Sequence, residues 1–224
     1  MHGGLQIPGS KQLQYLVQAT IDQVHFFTHA LPYLQNSSDA ALGIAVAEYS
    51  QFVSGKNNSW GESVPSLGVE IVWRSHLLQP SAYLRSCHML YGRVVDHTPQ
   101  HASTYPLTDD DHVQTDTTVL SGAWLEGVDL VGAMRQQQHF MEQILEQNQQ
   151  CSEEYIVAAV ERYAEFLASM RSSAVTEPTC LLVDLVWHTH QLFPCQYAAD
   201  CIAMAGHQVD HQAVGRHSDV SSHS

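Results

Sequence analysis

Apolar side chains recur at helical spacing in the second half of the chain. Residues 152–171 open with a serine and two glutamates, which is typical of a helix N-terminus. The apolar positions that follow have the spacing i, i+3, i+4, i+7, i+11 of a helix with one buried face: Ile156, Ala159, Val160, Tyr163 and Leu167. Residues 133–148 lack Gly and Pro and are rich in strong helix formers, so they predict another helix.

The stretch VDLVWHTHQLFPCQY, residues 183–197, joins an apolar run to two histidines. Pro194 suits the first position of a helix, and Gly206 is the residue type that commonly ends one, so a helix is predicted between them. For VDLVW and the related VEIVW both a helix and a strand stay open, because β-branched residues such as Val and Ile favour strands.

This stretch occurs twice in the chain. Residues 69–83 read VEIVWRSHLLQPSAY, and the tryptophans Trp73 and Trp187 lie 114 residues apart. At that offset residues 25–97 align with residues 139–211 without a gap and share 23 of 73 positions. Such internal similarity predicts two copies of one structural unit.

The predicted fold is all-α, with two tandem repeats of about four helices each packed as one helical domain. The segment between the repeats is rich in Thr, Asp and His and is expected to be a long, mobile loop. The predicted boundaries are a flexible N-terminus at 1–14, repeat 1 at 15–97, a linker at 98–128, repeat 2 at 129–211 and a flexible tail at 212–224.

Composition narrows the classes of partner. The 224 residues are 44% hydrophobic, enough for a sizeable core, and carry a net charge of −14. So acidic a chain is not expected to bind nucleic acid or an anionic membrane. Five widely spaced cysteines without a CxxC pair fit reduced thiols in the cytoplasm, and no secretory signal or membrane span is recognisable.

Two histidines of the repeated stretch raise the hypothesis of a metal site. In an extended segment His188 and His190 would share a face, and zinc would need at least one further ligand. In a helix, residues two apart point away from each other, so one ion cannot easily bind both. Candidates for the further ligand are Asp184, Cys195, Cys201 and His211.

The matching position in the first copy is evidence against metal binding. His188 corresponds to Arg74, which is not a metal ligand, and an acid stands four residues before each of them, Asp184 and Glu70. Residues four apart meet on one helical face. We therefore predict surface ion pairs at both positions, no bound metal and no cofactor.

Matched aromatic and histidine side chains predict a buried polar cluster in each copy, with a ligand pocket as the alternative. Trp187 and His190 are three residues apart and share a helical face, and buried rings of this kind need partners for their polar atoms. Either the matched aspartates or His25 and His139 are the expected partners. The candidate residues are Trp73, His76, Tyr83 and Asp96 in the first copy and Trp187, His190, Tyr197 and Asp210 in the second.

No catalytic residue is predicted. A nucleophilic cysteine would have to be Cys87 or Cys201, the two matched between copies, beside a histidine base. Cysteine in an apolar helix usually behaves as a small inert hydrophobe.

With both copies aligned, the chain resembles the plant and fungal glycine-rich domain-containing protein family in its N-terminal conserved region. That region carries a doubled motif D-x-x-W-H-x-H-x-L-x-P-x-x-Y, which resembles DLVWHTHQLFPCQY and, less fully, EIVWRSHLLQPSAY. Arg74 departs from the motif, since the family tends to have histidine there. The resemblance covers roughly residues 15–211 and implies no defined reaction; it implies an association with growth and stress responses.

Two functions follow as hypotheses. The first is a non-enzymatic helical protein that acts by binding a protein partner, plausible for growth or stress response through the family resemblance. The alternative is a metal-dependent or small-ligand-binding enzyme that uses the Trp, His and Tyr clusters. Arg74 separates them, because a metal site could then persist only in the second copy.

Overall fold

The chain folds as a bundle of α-helices. The computed structural model describes residues 12–54, 64–100, 102–105, 125, 127–147, 151–172 and 177–210. Within these ranges there is no strand, so the predicted all-α class is confirmed. The helices are α1 Tyr15–Asn36, α2 Asp39–Ser54, α3 Leu67–Leu77, α4 Pro80–Tyr91, α5 Leu130–Glu146, α6 Glu153–Ser169, α7 Leu181–Gln191 and α8 Pro194–Met204, with a 3₁₀ turn at Ala102–Thr104.

Local sequence signals set the ends of the helices that carry the repeated stretch. Pro80 and Pro194 occupy the first positions of α4 and α8, where a missing N–H is harmless. Gly92 and Gly206 follow these helices with φ angles of 66° and 85°, the left-handed conformation that favours glycine. Both segments that could have formed strands are helical: Ser66 Oγ accepts a hydrogen bond from the N–H of Val69 at the start of α3, and α7 is buried over most of its length.

The helices pack around two hydrophobic cores that share α1. Leu13, just before α1, and Leu16 in its first turn lie in a core with α6, α7 and α8. The remainder of α1, with Phe26 and Phe27, lies in the other core with α2, α3 and α4. Helix α5 completes the core of α2, α3 and α4 with five buried side chains: Leu130, Met134, Phe140, Met141 and Ile144.

The first helix of each half is therefore exchanged. Residues Leu16 and Leu130 correspond at the 114-residue offset, yet each is buried against the helices of the opposite half. Helix α1 packs closely on α6 and α7, and α5 packs on α3 and α2. Burial of apolar surface is the main favourable term in folding, so neither half has a full core without the other.

Parts of the predicted organisation fall outside the described residues. These are residues 1–11 of the N-terminus, most of the linker including 106–124, and the tail from 211 onward. None of the described helices combines the length and the apolar composition needed to cross a bilayer.

Candidate functional site

A hydrogen bond between a tryptophan and a tyrosine links α3 and α4, the two helices of the first repeated stretch. The indole Nε1–H of Trp73 donates to the hydroxyl of Tyr83 over 3.2 Å, and that hydroxyl donates to the carbonyl of Val95 over 2.9 Å. All three residues are buried. These two hydrogen bonds hold the segment after α4 against α3, and each of the buried polar atoms gains a partner.

The second half repeats this arrangement at the matched positions. Trp187 Nε1 donates to Tyr197 over 2.9 Å, and the Tyr197 hydroxyl donates to the carbonyl of Val209 over 2.9 Å. The same bonds at the same offset mean that identical residues in the two stretches do identical structural work.

His76 is held inside the first cluster by a tyrosine and a serine. Its Nδ1 lies 3.0 Å from the hydroxyl of Tyr49, and its Nε2 lies 3.4 Å from Oγ of Ser86. Burial lowers the pKa of His76 to about 3, helped by nearby Arg85 and opposed by a bond to the carbonyl of Ala82. The ring is therefore neutral at physiological pH.

His190 occupies the matched position and has a carboxylate partner instead. Its Nδ1 lies 2.9 Å from the hydroxyl of Tyr163, and its Nε2 lies 3.2 Å from Oδ2 of Asp200. Burial is the main cause that lowers the pKa of His190, although Asp200 opposes it. A neutral ring beside an acceptor-only carboxylate must carry its proton on Nε2, so Nδ1 accepts from Tyr163.

Asp200 remains ionised despite complete burial of its side chain. Burial alone would raise the pKa of this carboxyl, but hydrogen bonds from His190, Gln196 and Gln12 together lower it. Gln196 Nε2 donates over 2.9 Å, and Gln12 donates from the segment before α1. Sequence comparison could not single out Asp200, because the matched residue in the first copy is Ser86.

The prediction that Asp96 and Asp210 belong to the buried clusters is wrong. Both side chains are exposed, and each reaches a helix start of the opposite half. Asp210 accepts the N–H of Ser81 over 2.9 Å and also its hydroxyl, while Asp96 accepts the N–H of Cys195 over 3.4 Å. The other expected partners, His25 and His139, are exposed as well.

Each of these aspartates caps a helix of the opposite half, and the two caps should differ in their contribution to stability. Carboxylates stabilise helix N-termini by accepting unpaired N–H groups and by opposing the helix dipole. Replacing Asp210 by Ala should lower the free energy of unfolding by about 1 kcal/mol. Asp96→Ala, whose bond is long and single, should cost less. Urea denaturation of the two variants measures this, and an equal effect would contradict the assigned geometry.

The two acid–base pairs form at the predicted spacing, but the prediction that they lie on the surface is wrong. Arg74 Nε lies 2.7 Å from Glu70 Oε1, and His188 Nε2 lies 3.6 Å from Asp184 Oδ1. All four residues are buried. Local spacing fixes which residues meet on a helix, but only the packing of α1 and α5 decides whether that face is covered.

Arg74 sits in a complete cage. Its guanidinium carbon lies 3.6 Å from the centre of the Phe26 ring, and its nitrogens donate to Glu70, to the amide oxygen of Gln23 and, over 3.4 Å, to the Tyr105 hydroxyl. Such a stack is a cation–π contact. The guanidinium therefore has aromatic, charged and polar partners from α1, α3 and Tyr105.

His97 was not singled out from the sequence, yet it joins the two halves. Its Nε2 lies 3.1 Å from Glu70 and its Nδ1 lies 2.8 Å from the carbonyl of Leu192. Burial would raise the pKa of Glu70, but the charges and hydrogen bonds of His97 and Arg74 lower it to about 2. The match of His97 with His211 was visible in the sequence, but no local pattern indicates that His97 forms hydrogen bonds to both halves.

His188 has a different environment from Arg74. Its ring centre lies 4.2 Å from that of Phe140, and an open groove of about 360 Å³ runs beside it between α5 and the start of α7. Asp184 and Gln137 also line this groove. Within the described residues no three His, Cys, Asp or Glu side chains lie together so as to hold a metal ion.

The buried clusters leave little room for a reacting molecule. Cavities of about 10 Å³ adjoin His76 and separate Tyr83 from Tyr197, which is space for roughly one water. Cys87 and Cys201 are buried, and burial raises the pKa of both thiols, so they are protonated rather than nucleophilic.

The two histidines of the second stretch should respond differently to substitution. His190→Ala should lower the free energy of unfolding by about 1–3 kcal/mol, because it leaves Tyr163 and Asp200 without their partner. His76→Ala should cost a similar amount. His188→Arg should cost less than about 0.5 kcal/mol, because Arg74 occupies the matched position beside an acid and a phenylalanine. Chemical denaturation compares the three, and a loss for His188→Arg as large as that for His190→Ala would contradict this assignment.

The fold and these clusters define a class: an all-α protein whose Trp, His and Tyr motif is buried twice over. Residues 99–200 match the family model described as glycine-rich domain-containing protein-like, and the chain belongs to that family. The resemblance inferred from the doubled stretch is thus confirmed for the family, while the individual positions of its motif stay a prediction.

Two relatives from Arabidopsis thaliana are similar over most of the chain. Glycine-rich domain-containing protein 1 is 30% identical over 180 residues, 68% of this chain and 22% of the relative. Glycine-rich domain-containing protein 2 is 26% identical over 186 residues, 72% of this chain and 24% of the relative. The chain thus spans about a quarter of either relative or less. No solved structure matches it.

Proposed function

We propose that this chain is a non-enzymatic, cytoplasmic protein-binding module that contributes to growth or stress responses. The observation that carries the proposal is that the tryptophan, the second histidine and the tyrosine of each copy of the motif are buried and used in internal hydrogen bonds. His76 and His190 are fully buried, and their ring nitrogens face tyrosine, serine or aspartate side chains of the chain itself. Groups committed in this way stabilise a scaffold and do not reach a substrate.

Binding is then left to the surface. Two open grooves lie among the described residues, one of about 330 Å³ beside Glu70 and Trp73 and one of about 360 Å³ beside Asp184 and His188. Surface depressions that combine apolar walls with a few polar groups suit segments of another protein. The net charge of −14 favours a partner with a basic surface.

Quantitative cross-linking of the purified chain in an extract of its source cells tests the proposal. We expect saturable cross-links to a small set of proteins. Tyr163→Phe should leave them unchanged, because the hydroxyl it removes is buried against His190. The absence of any saturable partner would contradict the proposal. So would turnover of a metabolite that Tyr163→Phe abolishes, which would favour an enzyme.

A further inference from the structure

The two halves surround positions 74 and 188 with the same three kinds of group. In the first half these are the Phe26 ring, the Glu70 carboxylate and the Gln23 amide. At the 114-residue offset the second half has Phe140, Asp184 and Gln137. All three border or line the groove beside His188. An aromatic face, a carboxylate and an amide oxygen are the groups that bind a guanidinium.

The first cage contains its own guanidinium. Arg74 fills it and donates to the hydroxyl of Tyr105, which is itself buried. The Glu70 side chain is only 2% exposed. The first half therefore shows that a cage of these three groups binds an arginine guanidinium.

The second cage contains a shorter side chain and is open. His188 stacks on Phe140 but reaches no further than 3.6 Å from Asp184, and the Asp184 side chain is 13% exposed. A carboxylate can accept several hydrogen bonds at once, so a guanidinium can bond Asp184 in addition to the groups already beside it. Among the described residues that line this groove there is no tyrosine, whereas Tyr105 bonds Arg74 in the first half.

The walls of the open groove suit a peptide rather than a free ion. Glutamines of α5 line one side, where their amides can bond a peptide backbone, and apolar residues at the start of α7 line the other. The lining residues on these sides include Gln136, Gln143, Pro178 and Leu181. The acidic chain as a whole also attracts basic segments.

We propose that the groove between α5 and α7 binds an arginine side chain presented by a segment of a partner protein. The guanidinium would lie beside the His188 ring, which already stacks on Phe140, and would bond Asp184 as that of Arg74 bonds Glu70. This inference rests on the proposed binding function and names the chemistry of the partner. His188 keeps the second cage open, because an arginine at its position would fill the cage from within.

The test uses a blocked Gly-Arg-Gly tripeptide, with citrulline and lysine versions as controls, titrated into the full chain by calorimetry and amide NMR shifts. We expect shifts centred on Phe140, Asp184 and Gln137. The citrulline peptide should bind at least about tenfold more weakly than the arginine peptide, because citrulline lacks the charge. The lysine peptide should also bind more weakly, because lysine cannot form two parallel hydrogen bonds to a carboxylate. Asp184→Asn and His188→Arg should each abolish binding.

Matched controls separate loss of the site from loss of the fold. Asp22→Asn makes the same charge change on an exposed part of α1 and should leave binding unchanged. Asp184→Asn and His188→Arg should still unfold in urea in one cooperative transition, with midpoints close to that of the wild type.

Three results would overturn the assignment. Binding that Asp184→Asn leaves intact would move the ligand elsewhere, and equal binding of lysine would mean that only charge is recognised. The absence of any shift with the arginine tripeptide would mean that the groove does not bind a guanidinium. In each case saturable cross-links to partner proteins would still support the proposed protein-binding function. The absence of such cross-links would contradict both that function and the arginine site.

Discussion

Glu70→Gln should lower the free energy of unfolding by about 3–5 kcal/mol. Removing this charge leaves the buried guanidinium of Arg74 without its anion and takes the carboxylate from His97. An unpaired buried charge is among the costliest defects a folded protein can carry, because no water replaces the lost partner. Urea denaturation at pH 7 measures the effect.

Asp184→Asn provides the matched control. Its carboxylate lies 3.6 Å from His188, and its side chain is 13% exposed against 2% for Glu70, so water can reach it and the cost should stay below about 1 kcal/mol. Equal losses for the two substitutions would mean that the cage around Arg74 contributes nothing beyond an ordinary ion pair.

Acidification should destabilise the protein steeply between pH 6.5 and pH 3. The pKa of His76 falls from 6.5 to about 3 in the folded state, and that of His190 is lowered too. In this range the unfolded chain binds protons that the folded chain cannot, so stability falls as the pH falls. Each unit of difference corresponds to about 1.4 kcal/mol, so His76 alone accounts for a loss of up to about 5 kcal/mol.

A second process should begin below pH 4.5. The pKa of Glu70 is lowered to about 2, so its contribution is present above its ordinary value of 4.5 and is lost as the pH falls through 2. Urea denaturation from pH 7.5 to pH 4 of the wild type and of the His76→Gln, His190→Gln double variant separates the groups. The double variant should lose the slope between pH 6.5 and 4.5. An unchanged slope would mean that neither ring is held neutral by burial.

Local signals explain why the helices and the buried aromatic rings could be predicted. Pro194 and Gly206 define a helix by their own backbone preferences, whatever lies around them. Trp187 and Tyr197 are large, mostly apolar and matched at the 114-residue offset, and residues of this type lie inside unless function requires otherwise. Their burial therefore needed no knowledge of the tertiary fold.

The errors concern residues whose environment comes from distant parts of the chain. Asp96 and Asp210 resemble cluster residues in sequence, but the helix ends they cap belong to the opposite half. Charged residues are rarely buried, so the rule that put Arg74 and His188 on the surface is sound on average. It failed here because α1 and α5 cover these positions with Phe26 and Phe140.

The exchange of α1 and α5 has a consequence for how the protein is made. As the chain leaves the ribosome, α1 to α4 emerge first, but the core they enter also needs Met134 and Phe140 from α5. Leu13 and Leu16 must wait still longer, until α6, α7 and α8 have appeared. Contacts between such distant residues slow folding and leave apolar surface exposed on the nascent chain. Synthesis of the first half alone should thus yield a product that depends on chaperones, and soluble protein should accumulate only after α8 has been released.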